Sequence, residues 1–338
     1  MLINNTLFLP IIVSFFLTLF LMPIWIRKAK QIKLVWDDMN KISGQKVAGS
    51  GGAMVLFGFI IGIMLLIAYR VFVMQTQEYL IEIFATLVVI ILVSGTGIVD
   101  DLLGWRKGGL SRRSRIILIA FSAIPLMAIN AGKSRVALPI LGTTELGIIY
   151  PLLFIPIGII GATTTFNFLA GYNGQEAGQG ILILTALSFV AFFTGNSWIS
   201  VICLCMVASL FAFLLFNFYP AEVFPGNAMT YATGALIASV AIIGNFERIA
   251  VFFFIPYIIE TALKLKGKLV KQSFGQPTKK GTLKLRYPNF YSLNHLAIHI
   301  LNKTKFKATE KRVVCLIWAF QILIILAGFI IFREGIFA

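Results

Sequence analysis

Long apolar runs, each about as long as a bilayer core is thick, recur down this chain with short polar stretches between them. A helix needs about 20 mostly apolar residues to cross the hydrocarbon core. Candidates fall at 6–26, 52–73, 79–99, 115–131, 146–166, 180–195, 198–216, 228–245, 248–265 and 313–332. The pattern predicts an all-α polytopic membrane protein with about ten transmembrane helices. The run at 180–195 is short and 115–131 contains Pro125, so nine spans is the alternative count. With 59% of its 338 residues hydrophobic and 12% charged, the chain has more apolar surface than one aqueous core can hide. Nothing reads as a separate soluble domain. Residues 1–338 are expected to form a single integral membrane domain, with 266–312 a basic loop within it. No internal repeat is evident, which weakens an inverted-repeat transporter reading. The first run has neither a basic leader nor a small-residue cleavage site, so it is expected to be a retained span.

The formal charge of +16 would suit a nucleic-acid binder, but its distribution points to orientation in a membrane. Six of the 29 Lys and Arg lie in 27–46, five in 100–115 and thirteen in 264–312. The remaining five are Arg70, Lys133, Arg135, Arg248 and Arg333. Positive loops stay cytoplasmic. The connections after spans one, three, five, seven and nine therefore face the cytoplasm, with both termini outside. An odd count would break this alternation, so charge and hydropathy together favour ten. Cys203, Cys205 and Cys315 all fall inside apolar runs, as buried free thiols would.

The unusual polar stretches collect on the same side: Trp36–Gly52, Asp100–Arg115, Asn167–Gln179, Asn217–Asn227 and the long basic loop. Such residues are costly in lipid unless they line a wet cavity, so their co-location predicts one composite site on the cytoplasmic face. Adjacent carboxylates Asp100 and Asp101 could serve a metal or act as a base, or could end a solvated helix balanced by Arg106 and Lys107. Asn167–Gln179 holds two Asn, two Gln, one Glu and three Gly in thirteen residues. A plain interhelical turn needs far fewer, and amides read donors and acceptors on a base edge, so a binding loop is expected. In 217–227, Pro220 and Pro225 forbid a continuous helix, and Asn227 could be a simple N-cap. Gly49–Gly52 opens the second span and could bind an anion or serve close packing. His295 and His299 share a helical face at metal-ligand spacing, but no third ligand is evident and an amphipathic helix over 291–301 explains them. The basic loop could hold anionic lipid headgroups or clamp a diphosphate.

In this order, Asp38-Met-Asn-Lys41, Asp100-Asp101, Asn167–Gln179 and Asn217–Asn227 resemble the polyprenyl-phosphate N-acetylhexosamine-1-phosphate transferases. The resemblance is nearest to the dolichyl-phosphate GlcNAc-1-phosphate transferase branch, spans roughly 36–265, and is most specific at Leu169–Gln179. It implies a fold like that of phospho-MurNAc-pentapeptide transferase. It also implies transfer of GlcNAc-1-phosphate from UDP-GlcNAc to dolichyl or another polyprenyl phosphate, with release of UMP and a need for Mg²⁺, Mn²⁺ being the alternative. The implied metal ligands are Asn167 and Asn227. Asp100, Asp101 and Arg115 would be catalytic, beside the metal and phosphates. Asp38, Asn40, Lys41, Gly171, Asn173 and Glu176 would bind substrate, with Gly171 and Asn173 at the uracil. Basic residues of 264–312 would hold the sugar diphosphate.

Three positions depart from the family pattern. Asn227 stands where an Asp is usual, so it can bind Mg²⁺ without charge but cannot be a covalent nucleophile. Direct attack by the lipid phosphate is then the simpler route. Ala48-Gly49 lacks an acidic residue often found there, and Gly104 replaces a third acidic or amide position. The rival readings are the same reaction with UDP-GalNAc or UDP-MurNAc-pentapeptide, and a secondary transporter using Glu260 and the Asp pair as an ion relay. The expected partners are thus a UDP-sugar, a polyprenyl phosphate and the bilayer, with no nucleic acid. A homodimer would be compatible with the sequence.

Overall fold

A computed structural model describes residues 8–337 apart from 43, 134 and 139–141. Residues 6–7 of the first expected span therefore lie outside the described part. The protein is predominantly helical. Helix α1 (Leu9–Gln31) leads into a short antiparallel hairpin of β1 (Val35–Asp37) and β2 (Lys46–Ala48), in which Val35 faces Ala48. Helix α2 (Gly52–Ala68) continues through a π turn to Val73, and α3 (Leu80–Lys107) follows. Next come α4 (Arg112–Ser122), α5 (Ile124–Ala128) and a hairpin of β3 (Arg135–Leu138) and β4 (Gly142–Glu145). A π turn at Tyr150–Phe154 opens α6 (Ile155–Phe166). Helices α7 (Gln175–Phe193), α8 (Ser197–Asn217) and α9 (Gly226–Gly244) complete the middle of the chain. The C-terminal part has α10 (Glu247–Phe253), α11 (Ile255–Lys266), β5 (Gln276–Pro277), β6 (Leu283–Lys284), α12 (Leu293–Lys303), α13 (Glu310–Ile331) and α14 (Arg333–Ile336).

Seven helices among the described residues are long and apolar enough to cross a membrane: α1, α2 with its π turn, α3, α7, α8, α9 and α13. The stretch expected to be short, 180–195, lies in a helix that starts five residues earlier, at Gln175. Three other expected spans are shorter or broken. Tyr150–Phe166 is a shorter apolar helix. The run expected at 115–131 breaks at Ala123, ahead of Pro125. The run at 248–265 breaks at Phe254, ahead of Pro256. A proline lacks the N–H that would continue the ladder, and its ring crowds the carbonyl four residues back.

Small residues set how closely the helices approach. The inner face of α1 repeats every four residues through Ser14, Thr18 and Met22. A Cβ on Gly58 of α2 would lie 2.1 Å from Thr18 Oγ1, and one on Gly62 would lie 1.9 Å from Ser14 Oγ. Only glycine permits that approach. Helix α9 is buried along nearly its whole length. A Cβ on Gly97 of α3 would meet Ala228 N at 2.6 Å, and one on Gly234 of α9 would meet Ala162 O at 2.5 Å. These two contacts bring the start of α9 against α3 and its middle against α6, where the polar ends of all three helices meet.

Gly49–Gly52 serves packing rather than an anion. The Gly51 and Gly52 N–H groups donate to Phe224 O and Pro225 O, both at 2.9 Å. Ala48 pairs with the same loop, accepting from Phe224 N at 2.7 Å. Those donors are spent on the 222–225 segment, which explains why so many glycines stand there. All three cysteines are free; Cys203 and Cys205 are buried as expected, but Cys315 lies on the exposed face of α13.

Candidate active site

Four helix ends build the centre. Asp100 and Asp101 lie in the last two turns of α3, Asn167 caps the C-terminus of α6, Arg115 is in the first turn of α4, and Asn227 is the second residue of α9. Asp100 Oδ2 accepts from Asn227 Nδ2 at 2.9 Å and Tyr231 OH at 3.4 Å, and pairs with Arg115 Nε at 3.0 Å. Its other oxygen accepts from Leu110 N at 2.7 Å, which fixes the turn between α3 and α4. Asn167 Nδ2 donates to Asn227 Oδ1 at 3.0 Å, and Asn167 Oδ1 accepts from Thr230 at 3.1 Å.

Asp101 has a different job from its neighbour. Its oxygens accept from Asn227 N at 2.8 Å and Ser50 Oγ at 3.2 Å. A carboxylate against the exposed N–H groups of a helix start is favourable, so Asp101 caps α9 from a neighbouring helix. Gly226 has φ +70°, and a Cβ there would sit 2.2 Å from Asp101 Oδ2. The close approach requires glycine.

The 168–174 loop is held by side chains from distant segments. Gly171 N donates to Glu176 at 3.0 Å, and Gly171 O accepts from Asn40 Nδ2 at 2.8 Å. Asn173 N donates to Glu310 at 2.9 Å, and Gly174 N donates to Asn217 at 3.0 Å. Asp38 accepts from Asn173 Nδ2 at 3.2 Å and from Lys41 Nζ at 2.6 Å. Residues 273–275 of the basic segment cover the loop. Gly275 N donates to the Tyr172 hydroxyl at 2.9 Å, and burial pushes that hydroxyl's pKa well up, so it stays protonated. Gly171 has φ +113°, and a Cβ on it would meet the Phe274 ring at 2.6 Å.

These parts enclose a cavity of about 950 Å³. Asp38, Asp100, Asp101, Arg115, Asn167, Gly171, Asn173, Glu176 and Asn227 all line it. Asn40 and Lys41 instead line a second cavity of about 490 Å³. The basic loop does not converge as a whole: of its lysines and arginines, Lys264 lines the larger cavity, while Lys279 and Lys311 line the smaller. Arg112 also lines the large cavity, and Ile116, Ile160 and Phe168 give it an apolar wall beside Arg115.

The donor chemistry near Asn227 fits a hard cation. Two amide oxygens and the Asp100 carboxylate meet in one network, and all-oxygen sets suit Mg²⁺. No group of three or more His, Cys, Asp or Glu forms a protein-only metal site among the described residues. A metal here would rely on substrate phosphates for its remaining ligands. Neither His295 nor His299 lines the large cavity. His295 is buried beside Tyr287, its Nδ1 accepting from Tyr291 N at 3.2 Å, and His299 packs on Phe290. Glu260 is also occupied, accepting from Leu293 N at 2.6 Å and Ser292 Oγ at 3.1 Å. Through one oxygen it caps α12, while its other oxygen lies 3.9 Å from Lys264 Nζ.

Sequence reasoning missed Ser50, Thr230, Tyr231, Phe274 and Glu310. Thr230 and Tyr231 stand three and four residues after Asn227, on the helical face next to it, so that spacing could have found them. Nothing local marks Glu310, which meets Asn173 across 137 residues of chain.

The fold and the cavity define an integral, multi-pass helical membrane protein whose polar helix ends gather around one large pocket. The chain belongs to glycosyl transferase family 4, whose model matches residues 83–245. A Saccharolobus solfataricus protein with the provisional name UDP-N-acetylglucosamine–dolichyl-phosphate N-acetylglucosaminephosphotransferase is 33% identical, over 93% of this chain and 92% of its own. The Dictyostelium discoideum protein named for the same activity is 28% identical over 68% of this chain and 64% of its own. The phospho-N-acetylmuramoyl-pentapeptide-transferase of Halalkalibacterium halodurans is 27% identical over 79% and 86%.

Proposed function

We propose that the protein transfers GlcNAc-1-phosphate from UDP-GlcNAc to a dolichyl or related polyprenyl phosphate. The observation that carries this reading is the meeting of Asp100, Arg115, Asn167 and Asn227 at a large cavity with an apolar wall. Such a site suits a soluble diphosphate on one side and a lipid-tailed phosphate on the other. The names of the Saccharolobus and Dictyostelium relatives support it.

The transfer needs positioning and charge neutralisation more than covalent chemistry. An oxygen of the lipid phosphate attacks the β-phosphorus of UDP-GlcNAc. The bond from that phosphorus to the bridging oxygen breaks, and UMP leaves with the electron pair. The product is a lipid-linked GlcNAc diphosphate. Arg115, with Arg112 and Lys264 on the same cavity, neutralises the phosphates. Asp100 holds Arg115 and Asn227 in place. A lipid phosphate has a second pKa near 6 and is already mostly ionised at neutral pH, so Asp100 need not remove its proton. The 168–174 loop, with Gly171 and Asn173, receives the base, and Ile116, Ile160 and Phe168 face the lipid tail. Asn167 and Asn227 would hold Mg²⁺, which would supply positive charge to the diphosphate and to the leaving phosphate.

The broken and shorter stretches 112–128, 150–166 and 247–266 are further crossings in this reading, making ten. Both termini then lie outside, and the cavity faces the cytoplasm beside the basic loops. Purified protein with radiolabelled UDP-GlcNAc, dolichyl phosphate and Mg²⁺ tests the reaction. The expected result is lipid-phase label with UMP release, abolished by EDTA. Release of UDP instead would overturn the reading. Product from another UDP-sugar alone would keep the mechanism and change the donor.

A further inference from the structure

The proposed transfer leaves the smaller cavity without a role. It is about 490 Å³ and is lined by Asn40, Lys41, Tyr219, Lys279, Glu310 and Lys311, together with the hydroxyls of Thr278 and Thr309. That volume is within the range of small-molecule sites. Three ammonium groups face one carboxylate in this wall. Lys41 Nζ and Lys311 Nζ lie 4.9 and 5.0 Å from the Tyr219 ring centroid. They are therefore within about 10 Å of each other, about a Debye length at 0.1 M salt, and repel. Asp38 pairs with Lys41. Among the described residues no carboxylate pairs with Lys279 or Lys311. Clustered ammonium groups with hydroxyl donors beside them match the chemistry of a phosphate.

We propose that this cavity is a second anion site, for a phosphate or diphosphate group, distinct from the pocket where transfer occurs and linked to it through Lys41. The link is physical. Lys41 holds Asp38, Asp38 accepts from the Asn173 side chain, and Glu310 of the smaller cavity accepts from Asn173 N. An anion that draws Lys41 away loosens Asp38 and, with it, the loop that receives the donor. Occupancy then weakens donor binding, and by reciprocity the donor weakens the anion. This second half rests on the proposed donor; the anion site itself does not.

The experiment is calorimetric titration of purified full-length protein with inorganic diphosphate, in EDTA so that nothing turns over, with and without saturating UDP-GlcNAc. Wild type, Lys279→Gln/Lys311→Gln and Lys279→Glu/Lys311→Glu are compared. Diphosphate is expected to bind wild type, with an affinity that falls to a plateau as UDP-GlcNAc saturates. Both double variants should lose at least about tenfold in diphosphate affinity, about 1.4 kcal/mol, while their UDP-GlcNAc affinity in the absence of diphosphate stays within about twofold. No diphosphate binding, full competition by UDP-GlcNAc with no plateau, or unchanged affinity in both double variants would each overturn the proposal. If UDP-GlcNAc fails to bind in Mg²⁺ as well as in EDTA while the lysine variants still lose diphosphate, the donor reading fails and the anion site stands. Reconstitution in phosphatidic acid or phosphatidylcholine vesicles separates the sources. Phosphatidic acid that displaces diphosphate assigns a lipid headgroup, and its failure to do so assigns a soluble anion.

Discussion

Asp100→Asn removes one charge and almost no volume, yet it should stop transfer. Asp100 is buried and acts only as an acceptor. One oxygen takes Leu110 N at 2.7 Å; the other takes Asn227 Nδ2 at 2.9 Å and forms an ion pair with Arg115 Nε at 3.0 Å. An asparagine must turn its NH₂ toward one of these sets. Facing the second, it meets two donors, and the Arg115 charge loses its partner. Facing the first, it breaks the α3–α4 turn that aims Arg115. The hydrogen bond from Asn227 to the charged carboxylate contributes about 1.5–3 kcal/mol, and losing the ion pair that holds Arg115 costs about as much again, so the first arrangement forfeits about 3–6 kcal/mol of local order. Each 1.36 kcal/mol lost from the transition state slows the step tenfold, so transfer should fall by about 10²–10⁴. The assay is lipid-phase label from UDP-GlcNAc, with size-exclusion profile and thermal midpoint to show an intact fold. A well-folded variant with more than about a tenth of wild-type activity would refute the reasoning, since a tenfold loss needs only about 1.4 kcal/mol.

Asn227→Asp places a carboxylate where the amide now donates to Asp100 at 2.9 Å. The metal-free protein should lose about 1–3 kcal/mol of stability, recovered by millimolar Mg²⁺ in a thermal-shift titration, with transfer retained; a variant indifferent to Mg²⁺ would remove position 227 from the metal. Gly171→Ala puts a Cβ 2.6 Å from Phe274 at φ +113°, so the KM for UDP-GlcNAc should rise at least about tenfold with little change in kcat, and an unchanged KM would exclude the loop from donor binding. Glu260→Gln keeps an acceptor for Leu293 N and should leave transfer within about threefold, whereas complete loss would return Glu260 to the chemistry. Burial beside Lys264 and Arg286 pushes the His295 pKa down, below its unfolded value near 6.5. Its neutral form therefore contributes full stability above that value, and the contribution fades as pH falls below about 6.5. The thermal midpoint should drop between pH 7.5 and 5.5, and drop less in His295→Gln.

What could be read without coordinates was whatever local composition decides. The long apolar runs became helices because a backbone in lipid must satisfy itself internally, and the prolines at 125 and 256 mark where two of those runs break. Asn167, Asn173 and Glu176 stood out because polar residues crowd a boundary where few are needed. Pairing across the chain was hidden. Asp38 and Lys41 looked like one substrate-binding unit with Asn40, yet Asp38 lines the larger cavity while Asn40 and Lys41 line the smaller. Phe274 sits in a stretch with no periodicity, and only the glycine at 171 across from it reveals why the ring fits there. Asp101 was indistinguishable from Asp100 by sequence, because capping a distant helix depends on where α9 begins in space.

The two aspartates belong to a wider arrangement that bears on how an acidic site can receive anions. Asp100 accepts from Leu110 N, Asp101 from Asn227 N, Glu176 from Gly171 N, Glu260 from Leu293 N and Glu310 from Asn173 N. These five, like Asp38 with Asn40 N at 3.0 Å, bind backbone donors. Three of those donors open or tie loops, and two lie at the starts of α9 and α12. Each carboxylate thus meets at least one N–H group that water would otherwise have to satisfy. Arg115 and Lys264 pair with two of these carboxylates, Asp100 and Glu260, and with Arg112 they line the cavity that an incoming diphosphate enters. Removing any one of these carboxylates should therefore disturb the loop it holds as well as the charge that the substrate meets.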